Sequence, residues 1–230
     1  SPVEFMKAII PGMVERKWGR IVNIGTGAAK TPAEVRILSG PPRAALVNYS
    51  VAVSNGTTAL FLAAKVAGIK TGDHVLVSAT TNIATALAVY HNGGITIPVD
   101  SDKITWNLNL DLIEKLITNK TKAIIPVHFL GLPINMDKLV YIAKKNNLIV
   151  IEDCAESHGA TWKNKLTGTF GDMSCYSFYA NKIITTGEGG MVVTNNKFYA
   201  DKLKFLKNLA QSVPRFFHRQ AGFNFRLGSL

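Results

Sequence analysis

Residues 174–190 read SCYSFYANKIITTGEGG, and one lysine, Lys182, lies at the centre of this stretch. Aromatic and hydroxyl side chains precede the lysine, and a glycine-rich turn follows it. A lysine desolvated among Phe178, Tyr179, Ile183 and Ile184 would be less stable in its charged form, which leaves a neutral amine able to attack a carbonyl. The stretch alone is compatible with a Schiff-base lysine for an aldehyde cofactor, or with a lysine that extends from a strand end to solvent.

The stretch upstream predicts a buried strand that ends in two acidic residues. Residues 148–151 are apolar and mostly β-branched, and Glu152 and Asp153 follow them. Ligands of open α/β sheets bind at such strand ends. A carboxylate on Asp153 could pair with the ring nitrogen of a pyridoxal cofactor and keep it protonated, which lets the ring accept electrons. The competing interpretation of Asp153 is a helix N-cap or a loop ion pair.

A third feature, residues 51–64, predicts a strand, a turn and a helix. The apolar residues 51–53 precede SNGTT at 54–58, and an apolar helical run occupies 59–64. This order presents backbone N–H groups and hydroxyls to a phosphate at a helix N-terminus. One glycine turn is weak evidence. A phosphate cup, an acidic strand end and a buried lysine in that order are much stronger together.

Six segments of the chain resemble the sugar aminotransferases of the DegT/DnrJ/EryC1/StrS family. They are SNGT at 54–57, AIIPVH at 123–128, EDCAESHGA at 152–160, GTFGD at 168–172, SFYANK at 177–182 and TGEGG at 186–190. The resemblance covers about residues 51–230. It implies a doubly wound α/β domain of aminotransferase fold type I, with a mostly parallel sheet, helices on both faces and most of the small carboxy-terminal domain missing. It also implies the cofactor pyridoxal 5'-phosphate and transamination of a nucleotide-linked keto-sugar, with glutamate as amino donor.

The resemblance assigns the cofactor contacts to individual residues. Gly56, Thr57 and Ser177 would hold the cofactor phosphate. Asp153 would pair with the ring nitrogen. Lys182 would form the Schiff base and then transfer the proton between the two carbons, and a lysine at this position argues against the dehydratase branch of the family.

Three further positions concern the ring and the partner subunit. Glu156 lies where the family commonly has a glutamine near the phenolic oxygen of the ring, although a helix-start carboxylate is the ordinary interpretation. Asn82 lies where the family often has an aromatic residue that stacks on the ring. Asn224 matches an asparagine that reaches the cofactor phosphate of the neighbouring subunit, so its role implies a homodimer.

The first fifty residues resemble a different family, the short-chain dehydrogenases. A helix is predicted at 4–16, a buried strand at 20–24 and a second helix at 43–50. The catalytic serine of that family falls on Thr26, and its tyrosine and lysine fall on Ser39 and Arg43. Serine cannot replace tyrosine as a proton donor, and no glycine-rich dinucleotide turn is present, so NAD(P)-dependent oxidoreductase activity is disfavoured. We therefore expect a chimera, with a dehydrogenase-like fragment at 1–50 and a cofactor-binding domain at 51–230.

Downstream of the phosphate turn, short apolar runs alternate with helical patterns, which indicates parallel βαβ units. Strands are predicted at residues 75–77, 95–99, 123–127 and 190–194. Helices are predicted at residues 81–91, 110–117, 136–146 and 198–208.

Composition bounds the remaining possibilities. The 230 residues are 47% hydrophobic and 18% charged, with a net charge of +11, which suits a polyanionic substrate such as a sugar nucleotide. No nucleic-acid motif, signal segment or membrane-length apolar run is evident, so we expect a cytoplasmic protein without nucleic-acid or membrane partners. Cys154 and Cys175 are expected to be buried packing residues, and no metal site is expected. The alternative function is a catalytically inactive chimeric or engineered protein that at most binds the cofactor.

Overall fold

A computed structural model of the chain describes residues 49–214 and 216–228. The helix expected at 4–16, the strand expected at 20–24 and most of the helix expected at 43–50 lie outside these residues. The described residues form an α/β domain in which helices cover both faces of one sheet. The predicted fold class is therefore confirmed.

Seven strands form the main sheet. In chain order they are β1 (Tyr49–Val53), β2 (His74–Ser78), β3 (Ile95–Val99), β4 (Thr121–Ile125), β5 (Ile149–Asp153), β8 (Met173–Ser177) and β9 (Gly190–Thr194), and their spatial order is β1-β9-β8-β5-β4-β2-β3. Strand β9 is antiparallel to both of its neighbours, and all other pairings are parallel. Strands β6 (Thr161–Trp162) and β7 (Lys165–Leu166) form a separate hairpin.

Five α-helices are described, and an asparagine caps the N-terminus of each. They are α1 (Gly56–Val66), α2 (Ile83–Tyr90), α3 (Leu110–Leu116), α4 (Met136–Lys145) and α5 (Lys197–Lys207), with caps at Asn55, Asn82, Asn109, Asn135 and Asn196. Each cap side chain accepts a backbone N–H of the first turn, which stabilises a helix start by about 1 kcal/mol. An asparagine thus precedes every α-helix among the described residues.

Alternating side chains on the central strands divide the core into two layers. Val75, Val77 and Ile151 pack in a cluster with α1, α2 and α5. Leu76 and Val150 pack on the opposite face with α3 and α4. This period-two pattern of buried residues is expected for strands covered by helices on both sides.

Most predicted elements downstream of residue 50 agree with the observed ones to within two residues at each end. The exception is the helical run predicted at 59–64, because α1 begins three residues earlier, at Gly56. The short strands of the β6–β7 hairpin and strand β8 were not predicted as strands. The helix expected at 43–50 is wrong at its end, because Tyr49 and Ser50 belong to β1 and pair with Thr194 and Val193 of β9. Pairing with a distant strand outweighs the local helical pattern there.

The topology brings the carboxyl ends of β1, β8 and β5 to one edge of the sheet, because these three strands run in the same direction. The α1 N-terminus, Ser177 and Asp153 therefore lie at the same edge.

Within residues 49–214 and 216–228, no helix combines the length and apolar character needed to span a bilayer.

Candidate functional site

A cavity of about 340 Å³ opens at the edge of the sheet where β1, β5 and β8 end. Five of the seven predicted site residues line it: Gly56, Thr57, Asp153, Ser177 and Lys182. These residues come from three separate parts of the chain, and the sheet topology brings them together.

The N-terminus of α1 forms one wall of the cavity. Asn55 and Thr58 form a capping box, in which the Thr58 N–H donates to Asn55 Oδ1 at 2.9 Å and the Asn55 N–H donates to Thr58 Oγ1 at 3.1 Å. The N–H groups of Gly56 and Thr57 have no acceptor among the described residues, as expected at the start of a helix. The free donors and the helix dipole make this wall suitable for an anion.

Gly56 lets Ser177 approach the same helix end. A Cβ at position 56 would lie 2.7 Å from Ser177 Cβ and 3.0 Å from Ser177 Oγ. Any larger residue would therefore push the β8 end away from α1. Ser177 Oγ accepts a hydrogen bond from the Tyr179 N–H at 3.3 Å, which leaves its hydroxyl hydrogen free for a second oxygen.

Asp153 lies at the floor of the cavity and is 4% exposed. Its Oδ1 accepts from the Ala155 N–H at 3.1 Å, and its Oδ2 accepts from the Thr85 hydroxyl at 2.8 Å. Burial raises the pKa of Asp153, whereas these two hydrogen bonds oppose the shift. A cationic N–H donor placed in the cavity would stabilise the ionised form of this carboxylate.

Lys182 reaches the cavity with a side chain that is 18% exposed, and its Nζ lies 3.6 Å from Glu156 Oε1. The prediction that Lys182 is buried among apolar side chains is mostly wrong. Tyr179, Ile183 and Ile184 are 48%, 69% and 47% exposed, because residues 178–189 form turns rather than a continued strand. The Lys182 N–H donates to Tyr179 O at 3.0 Å in one of these turns.

Glu156 is not among the residues that line the cavity, but its carboxylate lies close to the Lys182 amine. Its Oε2 accepts from the Leu130 N–H at 2.9 Å, while its Oε1 faces Lys182. Asn82 does line the cavity, and its Oδ1 accepts from the Ala84 N–H at 3.0 Å as the cap of α2. Position 82 therefore presents an amide to the cavity, in place of the flat apolar ring that the family often has there.

Asn224 is exposed and is not among the residues that line this cavity. Its neighbours Phe223 and Phe225 pack against Phe61 of α1, with ring centroids 5.0 and 5.5 Å away. The Ser54 N–H donates to Phe225 O at 3.1 Å. The segment is thus held against the domain while position 224 faces outward.

Sequence reasoning missed Thr85 as a partner of Asp153. It also gave no role to Asn55, Asn181 and Glu188, which line the cavity. The spacing of Thr81 and Thr85 is compatible with their contact just before and within the first turn of α2, but it does not indicate Asp153 as the partner of Thr85.

Behind the cavity, His128, Glu152 and Cys154 place potential metal ligands within 4.8 Å of one another, all buried. Hydrogen bonds already occupy most of these atoms. Glu152 accepts from three backbone N–H groups and pairs with His128 Nε2, and His128 Nδ1 accepts from the Ile134 N–H at 3.3 Å. Cys154 and Cys175 are buried as expected, and burial raises the pKa of both thiols well above the usual value.

The donor set of the cavity fits pyridoxal phosphate chemically. It offers N–H and hydroxyl donors for a phosphate at the α1 end, a buried carboxylate for a protonated ring nitrogen, and a primary amine for an aldehyde. All three groups face one cavity.

Comparison with known proteins gives consistent results. The profile of the DegT/DnrJ/EryC1/StrS aminotransferase family matches residues 44–230. GDP-perosamine synthase of Escherichia coli O157:H7 is 49% identical over 185 residues, which is 80% of this chain and 51% of that protein. UDP-N-acetyl-3-dehydro-alpha-D-glucosamine 3-aminotransferase of Acidithiobacillus ferrooxidans is 40% identical over 208 residues, covering 90% of this chain and 54% of that protein.

Solved structures agree with this similarity. An aminotransferase from Psychrobacter cryohalolentis superposes with a TM-score of 0.76 at 38% identity, covering 79% of this chain and 49% of that one. NtdA from Bacillus subtilis, solved with the cofactor PMP, gives a TM-score of 0.73 at 32% identity, covering 78% and 41%. This chain spans about half the length of these relatives.

The predicted cofactor, pyridoxal 5'-phosphate, is the cofactor of this family and of its solved relatives. The family match begins at residue 44 and so includes residues 44–50 of the expected dehydrogenase-like fragment. The rest of that fragment and the chimera remain predictions. From residue 44 onward, the chain belongs to the DegT/DnrJ/EryC1/StrS aminotransferase family.

Proposed function

We propose that this chain binds pyridoxal 5'-phosphate and forms the cofactor site of an aminotransferase for nucleotide-linked keto-sugars, with glutamate as amino donor. The observation that carries the proposal is the convergence of the α1 N-terminus, the Asp153 carboxylate and the Lys182 amine on one cavity. The bound cofactor would supply an electron sink at the carbon from which a proton is removed.

The residues of the chain would bind and orient this cofactor. The N–H groups of Gly56 and Thr57 and the hydroxyl of Ser177 would hold the phosphate. Asp153 would hold the ring nitrogen in its protonated form. The Lys182 amine would attach the cofactor reversibly and then move the proton between the two carbons, because Lys182 lines the cavity and a primary amine can both bond to an aldehyde and carry a proton.

The substrate class is inferred from the relatives. The E. coli relative is named for a GDP-linked amino sugar, and the A. ferrooxidans relative for amination at position 3 of a UDP-linked sugar. A net charge of +11 suits a polyanionic substrate. These relatives support a nucleotide sugar without selecting one nucleotide or one carbon.

A homodimer is part of the proposal. Tyr179, Ile183 and Ile184 expose apolar surface in the segment after β8 that carries Lys182, and Ile83 at the start of α2 is 66% exposed. Exposed apolar surface at a site is typical of an interface. The outward position of Asn224 fits a role in the cavity of a second copy. Mixing Lys182→Ala chains with Asn224→Ala chains tests this, because hybrid dimers regain one intact cofactor site and separate monomers regain none.

The test of the function is an amination assay with GDP- and UDP-linked keto-sugars and glutamate, with the amino sugar detected by mass spectrometry. We expect product from the wild-type chain and none from Lys182→Arg, which keeps the charge but cannot attach an aldehyde. Lys163→Ala removes a surface lysine that pairs with Asp137, and should retain full activity.

The alternative, a catalytically inactive chain, predicts a different result in the same assay. The chain would at most bind the cofactor, and no keto-sugar would be aminated. Absence of product would contradict the proposed transamination, and absence of cofactor binding would contradict the cofactor site as well.

A further inference from the structure

Two hydroxyl groups form a chain of hydrogen bonds that ends on Asp153. Thr85 Oγ1 donates to Asp153 Oδ2 at 2.8 Å, and Thr81 Oγ1 lies 2.7 Å from Thr85 Oγ1. An ionised carboxylate only accepts hydrogen bonds, so the single hydroxyl hydrogen of Thr85 is directed at Asp153. The Thr81 hydroxyl must then donate to Thr85. With Asp153 ionised, the chain of hydrogen bonds therefore runs from Thr81 through Thr85 to Asp153.

In the surroundings of Asp153, these hydroxyls affect both the orientation and the charge of its carboxylate. Thr85 is fully buried, so no water competes with its hydroxyl for the carboxylate. It lies in the first turn of α2, and the positive end of the helix dipole favours a carboxylate nearby. Ala155 supplies the other donor, to Oδ1. With one donor on each oxygen, the carboxylate is fixed in orientation and keeps free lone pairs.

The other charged and titratable groups around Asp153 do not by themselves keep its carboxylate ionised. His128 follows β4, Cys175 pairs with Asp153 in β8, and Glu156 follows β5. The Glu156 carboxylate disfavours a second negative charge nearby, whereas His128 favours it. Lys182 lines the same cavity. Burial is the largest influence on Asp153, and it favours the neutral acid.

We propose that Thr81 and Thr85 are positioning residues, a two-hydroxyl relay that orients Asp153 and holds it ionised as the partner of a protonated ring nitrogen. The inference rests on the proposed function, since it concerns how the same site binds its cofactor. Consecutive hydrogen bonds polarise one another, so loss of Thr81 weakens the bond that Thr85 makes. Neither threonine is among the residues that line the cavity.

The test is the dissociation constant of pyridoxal phosphate, measured by absorbance titration of the full chain between pH 5 and pH 8. Thr85→Val keeps the side-chain shape and removes the hydroxyl. We expect about tenfold weaker binding, the size expected for losing one hydrogen bond to a charged group. The fall in affinity on the acid side should move to higher pH, because the carboxylate then takes up a proton more readily. Thr85→Ser should restore both properties.

A matched control is Thr194→Val, which removes another buried threonine hydroxyl, one that donates to Asp172 O at the opposite edge of the sheet. It should leave affinity and its pH dependence unchanged. Should Thr85→Val fail to fold, Thr81→Val provides the second variant, with about threefold weaker binding expected from the lost polarisation.

The outcomes separate the two claims. Wild-type binding combined with unchanged affinity and pH dependence in Thr85→Val, or in Thr81→Val where the former does not fold, would overturn the relay and leave the proposed function intact. An equal loss of cofactor affinity in Thr194→Val would also overturn the relay, because the effect would then come from general destabilisation of the domain. No binding by the wild type would contradict the proposed function, and the relay with it.

Discussion

Glu152 and Asp153 are adjacent carboxylates at the end of β5, and their surroundings give them opposite properties. Glu152 is fully buried behind the sheet edge, where it accepts from the N–H groups of Gly168, Phe170 and Gly171 and pairs with His128. Asp153 faces the cavity with two donors. Successive side chains of a strand point to opposite faces, so one step along the chain separates a structural carboxylate from a binding one.

The pKa shifts express this difference. Burial by itself raises the pKa of Glu152, but the hydrogen bond to His128 and the backbone N–H groups outweigh burial and lower it. For Asp153, burial outweighs its fewer partners and the pKa is raised. A carboxylate with a full set of donors is stable without a ligand, whereas one with a partial set is stabilised by a ligand that brings a positive charge.

The largest effect should come from Glu152→Gln. An amide keeps the shape but directs N–H groups at existing N–H donors, so buried donors lose their acceptor. We expect the free energy of unfolding to fall by about 3 kcal/mol, as for breaking a buried charged network. Urea denaturation measures it. Glu114→Gln, in an exposed pair with Lys145, should change stability by less than about 1 kcal/mol. Equal losses in the two variants would contradict the assigned difference.

Asp153→Asn should show the reverse pattern. Pyridoxal phosphate affinity should fall about a hundredfold, because the ring nitrogen loses its ionic partner, while stability should stay near the wild-type value. Absorbance titration and urea denaturation give the two numbers. Asp172→Asn makes the same change at the opposite edge, where Asp172 accepts from the Val150 N–H, and should leave affinity unaltered. A stability loss in Asp153→Asn as large as that of Glu152→Gln would remove the distinction.

Gly56→Ala tests the phosphate end of the cavity. The added Cβ would meet Ser177 Cβ at 2.7 Å, so α1 and the end of β8 must separate. We expect about tenfold weaker cofactor binding, since overpacking of this kind costs about 1–3 kcal/mol. Gly228→Ala, where a Cβ meets no atom within 4 Å, is the control. Unchanged affinity in Gly56→Ala would show that this contact is not needed for the phosphate.

The smallest effect should appear in the pH dependence of stability. Glu152 has a lowered pKa in the folded state, so its contribution is present above its ordinary value of about 4.3 and is lost as pH falls through the folded value. Asp153 has a raised pKa, so stability should fall as pH rises from its ordinary value through the folded one. Urea denaturation from pH 3 to pH 7 should show a weaker acid loss in Glu152→Gln and a steeper rise with pH in Asp153→Asn. The same slope in all three proteins would contradict these signs.

The sequence predicted most of the fold because its signals were local and redundant. Short apolar runs marked the parallel strands, and the helical patterns between them marked the helices. Strand β8 was not predicted as a strand because its residues, MSCYS, mix hydroxyl side chains with apolar ones and form no β-branched run. Tyr49 and Ser50 were assigned to a helix because their pairing with β9 depends on residues more than 140 positions away.

The site was predictable as a set of residue types, less so as a geometry. Gly56, Asp153, Ser177 and Lys182 converge as expected, because their motifs sit at strand ends that the topology places together. The exposure of Ile183 and the contact between Glu156 and Lys182 depend on how a turn folds, which spacing does not reveal. The Thr85 bond to Asp153 joins residues 68 positions apart and needed the structure.

Borohydride reduction of the chain with pyridoxal phosphate bound, followed by peptide mass spectrometry, tests whether Lys182 holds the cofactor. Reduction converts a reversible link between a lysine and an aldehyde into a stable one. We expect one cofactor per chain attached at Lys182, and no attachment in Lys182→Arg. Attachment spread over surface lysines such as Lys163, or none at all, would contradict a cofactor site built from α1, Asp153 and Lys182.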